Sequence, residues 1–85
     1  MDQRYGTTDK IIDFIRAYYI DQLKFPTYQE ISDALSIGTK STVYAHMKKI
    51  EKRGKIEFYG QQYRFNRDWM LGMYREILES EEKLL

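Results

Sequence analysis

The sequence contains no cysteine. A chain without thiols has no disulfide framework, no thiolate nucleophile and no Cys-based zinc or iron–sulfur centre, so core packing has to hold it together, as suits a reducing cytosol. Proline occurs once, at Pro26, and histidine once, at His46. A lone histidine gives no basis for a metal site, and neither metal nor cofactor is expected. Long apolar runs are missing as well. The first apolar cluster, Ile11-Ile12, is interrupted by Asp13 and Arg16, so neither a signal peptide nor a membrane helix of about 18 apolar residues is expected. At 85 residues the chain is sized for one domain, which would bury roughly 60–65% of its unfolded surface and leave little room for a deep enclosed active site. The expectation is a soluble cytoplasmic domain that is not an enzyme: no carboxylate pair, Ser/Lys dyad, Gly-rich phosphate loop or ligand cluster stands out.

Net charge is also nearly absent, at +1, but its distribution is uneven. Residues 1–36 and 68–85 are acidic on balance, whereas residues 37–67 carry Lys40, Lys48, Lys49, Lys52, Arg53, Lys55, Arg64 and Arg67 against only Glu51 and Glu57. Local rather than net charge sets the field at a contact, so the central block suits a polyanion. A solvated lysine-rich helix face explains the same block equally well.

Apolar spacing predicts a first helix over about Thr8–Leu23, with Thr7 or Thr8 as N-cap and Ile11, Ile12, Ile15, Tyr18, Tyr19 and Leu23 on its apolar side. Lys24-Phe25-Pro26 ends it, because a residue preceding proline avoids the α region. Thr27-Tyr28-Gln29-Glu30 is a capping box that opens a short helix burying Ile31, Ala34 and Leu35. After the tight turn Ser36–Thr39, a third helix is expected from Lys40 to Arg53, capped by Thr39 and stopped by Gly54. Lys55–Tyr59 and Gln62–Phe65 read as strands joined by Gly60-Gln61, a loop with glycine first, as a type II′ turn requires. A final amphipathic helix runs from about Asn66 to Leu84. The order is that of a mainly α winged helix-turn-helix with a small β-hairpin and an extra C-terminal helix. Its expected division is 1–66 for the winged domain and 67–85 for the added helix.

At 100° per residue, Val43, Met47 and Ile50 share one side of the third helix, and Ser41, Ala45, Lys48 and Lys52 fall opposite, flanked by Thr42, Tyr44 and Lys49. Small and hydroxylated residues at a helix start can approach base edges, while lysines and amide donors hold phosphates. Ala45 leaves room for close approach or meets a thymine methyl. Candidate DNA contacts on this face are therefore Ser41, Thr42, Tyr44, Ala45, Lys48, Lys49 and Lys52, with the capping residue Thr39 at the helix entrance and Arg64 near the wing tip. Packing of Tyr44 on the hairpin is the alternative for that residue.

The run Phe25-Pro26-Thr27-Tyr28-Gln29-Glu30-Ile31, followed by Ser41-Thr42-Val43-Tyr44-Ala45-His46-Met47-Lys48-Lys49-Ile50-Glu51-Lys52-Arg53-Gly54-Lys55-Ile56, resembles the N-terminal DNA-binding domain of the LexA repressor family, in its Gram-positive form. The similarity covers roughly residues 7 to 65. It implies that Lys40, Ser41, Thr42, Tyr44 and Ala45 take the operator-reading positions, with His46 beside them; on the helical wheel His46 falls at the edge of the buried side, which points to a structural role. Two features set the chain apart. Ser36 stands where the family usually has glycine, with Gly38 two residues later. The family also continues into a self-cleaving Ser/Lys protease domain that dimerises; no Ala-Gly pair occurs here, so the protease domain is expected to be absent and self-cleavage is not carried over.

Functionally, these features predict a sequence-specific regulator of bacterial, phage or mobile-element origin, acting at the nucleoid on double-stranded DNA, most simply as a repressor. A protein-interaction module, an antirepressor or corepressor that docks another regulator or RNA polymerase, is the alternative, and the aromatic content of 15% suits it. Trp69, Met70, Met73, Tyr74, Ile77 and Leu78 on the last helix either pair two protomers or complete the monomer core.

Overall fold

The computed structural model describes residues 5–84, with the side chains of Ile77, Ser80 and residues 81–84 outside that description. The elements are α1 (Thr7–Gln22), α2 (Tyr28–Leu35), α3 (Lys40–Lys52), β1 (Ile56–Tyr59), β2 (Gln62–Phe65) and α4 (Arg67–Leu84). This is a winged helix-turn-helix order with a further helix. The chain forms two compact units, one running to Ile50 and the other beginning at Glu51. Among the described residues no helix is long and apolar enough to cross a membrane.

In the first unit α1 and α2 pack together, and the buried apolar side chains are Ile11, Ile12, Ile15, Pro26, Ile31, Val43, Met47 and Ile50. Each large member contributes about 1.5–3 kcal/mol relative to exposure. The anchor side of α3 is as the spacing requires: Val43, Met47 and Ile50 are fully enclosed.

Helix ends show where sequence reading succeeds and fails. The α2 box forms: the Glu30 backbone N–H donates to Thr27 Oγ1 at 3.1 Å and the Thr27 N–H donates to Glu30 Oε1 at 2.8 Å. At α1 the N-cap is Gly6, not Thr7 or Thr8, and the Gly6 N–H donates to the Asp9 carboxylate at 2.9 Å. Thr8 is instead buried, its hydroxyl committed elsewhere. Helix α1 stops at Gln22 because Leu23 turns left-handed (φ 59°, ψ 29°), which leaves Leu23 largely exposed rather than on the apolar side.

The inward face of α2 also differs from expectation. Ile31 is buried, but its companion is Ser32; Ala34 is exposed and Leu35 only half-buried. Ser32 faces in because it closes the turn. Its hydroxyl donates to the Ile37 carbonyl, and the Ile37 N–H donates back to the Ser32 carbonyl at 3.0 Å. The residue in the left-handed conformation is Ser36 (φ 56°, ψ 41°), while Gly38 is not left-handed. A turn usually built on glycine is thus reached here by a residue carrying a Cβ.

The second unit contains the hairpin and α4. Strands pair antiparallel with Ile56 opposite Phe65, Glu57 opposite Arg64, Phe58 opposite Tyr63 and Tyr59 opposite Gln62. Gly60 has φ +63° and Gln61 stays out of the left-handed region, as the expected two-residue loop demands. Ile56, Tyr63 and Phe65 are buried on one face. Asn66 caps α4 by accepting from the Trp69 N–H at 3.1 Å, and its amide reaches Glu57 at 3.4 Å.

Candidate nucleic-acid interface

Helix α3 starts on a side-chain cap. Thr39 Oγ1 accepts from the Thr42 N–H at 3.1 Å and lies 3.0 Å from the Thr42 hydroxyl. The turn closed by Ser32 delivers the chain to that cap. With Val43, Met47 and Ile50 enclosed, rotation by half a turn carries the opposite residues to solvent. Thr39, Lys40, Ser41, Thr42, Tyr44, Ala45, Lys48, Lys49 and Lys52 are all exposed. Each α3 candidate is thus open to solvent, with the Ser41 and Thr42 hydroxyls on the first turn and Lys48, Lys49 and Lys52 on the later ones.

Tyr44 does not stand alone. Its ring sits 6.1 Å from that of Tyr28, tilted by 53°, while 47% of Tyr44 stays exposed. Tyr28 opens α2, so an aromatic pair bridges the two helices at the edge of the basic surface. Partial burial raises the Tyr28 hydroxyl above its ordinary pKa; neighbouring Tyr44 adds to this and the positive charge of Lys48 offsets it. Sequence reading used Tyr28 only as part of the capping box. The available signal is its position at the first turn of the helix preceding α3, a place where helix-turn-helix folds in general meet the DNA backbone.

His46 points to the scaffold, as its place on the wheel suggested. Its Nδ1 lies 2.8 Å from Thr8 Oγ1, linking α3 to α1. Burial and then the charge of Lys49 lower its pKa below 6.5. Glu30, by contrast, is fully exposed; its carboxyl is lowered by the Thr27 N–H bond first and by the Tyr18 hydroxyl next.

In the second unit Arg64 is exposed but engaged. Its Nε donates to Glu57 Oε1 at 3.2 Å across the hairpin, and its guanidinium lies 5.1 Å from the Tyr59 ring centre. Of the α4 candidates, Trp69 packs edge-on to Phe65 at 5.3 Å with Lys55 over its ring at 5.6 Å. Met73 is buried and Met70 half-buried, whereas Tyr74 and Leu78 are exposed. Ile77 falls among the side chains outside the description.

A capped helix with an enclosed anchor and a basic outward face, preceded by a tight turn and followed by a short hairpin, defines the winged helix-turn-helix class. A family model described as the LexA DNA binding domain matches residues 7–64, and the chain belongs to that family. It is similar to the LexA repressor of Brevibacillus brevis, with 39% identity over 46 residues that make up 54% of this chain and 22% of that protein. The chain thus spans far less than the full length of this relative.

Proposed function

We propose that this protein is a transcription repressor that binds double-stranded DNA sequence-specifically, laying the outward face of α3 in the major groove. Ser41, Thr42, Tyr44 and Ala45 would meet base edges, with Thr39 and Lys40 at the helix entrance. Lys48, Lys49 and Lys52 would hold phosphates, and Arg64 on the wing would touch the backbone after exchanging Glu57 for a phosphate. The observation that carries this reading is the sorting of α3 itself: every candidate contact is exposed and every anchor residue is enclosed. Membership of the LexA DNA-binding domain family supports it.

The test is selection of bound sites from random duplexes, followed by titration of the best site at several salt concentrations. If Lys48, Lys49, Lys52 and Arg64 each displace counterions, log affinity falls against log salt with a slope of about −3.6, roughly 150-fold between 50 and 200 mM. Replacing both Lys48 and Lys49 by Gln should flatten that slope by about 2 without changing the fold, since both side chains are exposed. A slope near zero, or an unchanged one in the double variant, would overturn the assignment of this surface.

A further inference from the structure

Helix α4 carries a second apolar face that its own unit does not cover. Leu71, Tyr74 and Leu78 expose 53%, 50% and 57% of their surface. Their spacing places them within about 60° on one side of the helix. The buried Met73 and the Trp69 ring lie on the other side. Three large half-bare side chains in register along one helix form a continuous strip, unlike singly scattered apolar residues.

The order of residues along this strip is self-complementary. Arg67 lies in line with it at the helix start, Arg75 flanks Tyr74, and the sequence turns acidic after Leu78 with Glu79, Glu81 and Glu82. We propose that this face binds a second copy of the chain with the two α4 helices antiparallel, about a two-fold axis between Tyr74 and Arg75. That axis sets Leu71 of one copy opposite Leu78 of the other, Tyr74 opposite Arg75, and the Arg67 end opposite the acidic end. Such isologous matching is what closed dimers require. A parallel pair would instead bring both acidic ends together. The strip offers on the order of 300 Å² per copy, well below the ~800 Å² per partner of a stable interface, so the pair is weak in free solution. It gains force where two copies are already held side by side, a consequence that rests on the DNA-binding reading.

The absence of cysteine makes the geometry directly testable by oxidation of single-cysteine variants, with no DNA present, so that failure here is distinguishable from failure of the proposed function. Tyr74→Cys sits beside the axis. Arg67→Cys sits at the end, and its two copies would be about 22 Å apart along antiparallel helices, against the ~7 Å between Cα atoms that a disulfide tolerates. Ala17→Cys, on the exposed side of α1, measures random collision. At submillimolar protein, Tyr74→Cys should cross-link roughly tenfold faster than Ala17→Cys, because pairing raises the local thiol concentration. Arg67→Cys should cross-link no faster than the control, and adding Leu71→Lys and Leu78→Lys to Tyr74→Cys should return it to the control rate. Cross-linking of Tyr74→Cys at the collision rate would overturn the pairing. Equal rates for Arg67→Cys and Tyr74→Cys would overturn the antiparallel geometry.

Discussion

Replacing Ser36 with glycine should stabilise the protein. Ser36 holds φ 56° and ψ 41° at the end of α2, a region where the Cβ of an L-residue crowds the carbonyl oxygen at a cost of roughly 1–2 kcal/mol. Glycine removes that crowding but gives the unfolded chain extra freedom, which offsets about 0.4–1 kcal/mol. The difference favours Ser36→Gly by about 0.5–1 kcal/mol, or a Tm rise of about 2–8 °C for a domain of this size. The backbone bond from the Ser36 N–H to the Ser32 carbonyl is kept, and the side chain lost is exposed. Thermal unfolding followed by circular dichroism reads the change. Two companions fix its origin. Ser36→Ala should match wild type within about 0.5 kcal/mol, because alanine keeps the Cβ in the same conformation. Gly54→Ala, at φ +77° with no atom within 4 Å of the added methyl, should lower stability by about 1 kcal/mol through the same crowding acting in reverse. If Ser36→Gly melted at or below wild type while Ser36→Ala lost about 1 kcal/mol, the turn would depend on the serine hydroxyl and the backbone argument would fail.

Within α3, Met47→Ala should lose about 2–5 kcal/mol, because Met47 is fully enclosed and its truncation leaves a cavity; Tyr44→Ala should melt within about 1 kcal/mol of wild type yet bind DNA more weakly. Comparing melts and duplex titrations of the two variants tests whether the two sides of one helix do separate work, and equal melting losses would refute it. His46, whose pKa burial holds below 6.5, is favoured in its neutral form in the folded state. Its contribution to stability is therefore present above pH 6.5 and is lost as the pH falls through the lower folded value. Chemical unfolding from pH 7.5 to 5 should show wild type losing stability that His46→Gln does not lose; parallel profiles would show that His46 is not the group responsible.

Much of this architecture is legible in the sequence wherever the signal is local. The capping box at Thr27 and Glu30, the glycines at 54 and 60, and the enclosed triad of Val43, Met47 and Ile50 each depend on residues within a turn or two, and each forms as read. The misreadings share a different cause. Thr8 reads as an N-cap because nothing nearby reveals that His46, 38 positions away, binds its hydroxyl. Hydrophobicity assigns Ala34 and Leu35 to the core, but the turn into α3 requires the Ser32 hydroxyl on that side. Leu23 continues the apolar stripe, yet the helix ends one residue before it. For the surface, the wheel ordered α3 well, since a buried triad determines what faces away. It gave no sign of Tyr28, whose place beside Tyr44 depends on how two helices meet.

The contact between Thr8 and His46 divides α3 into positions that answer to the scaffold and positions that answer to whatever lies outside. Ser41 and Ala45 are exposed beside an enclosed neighbour set, so under the proposed function exchanging them would alter what α3 reads without disturbing its support. A library varied at those two sites, with the helix breakers glycine and proline left out, should then shift operator preference while its members melt within about 1 kcal/mol of the parent.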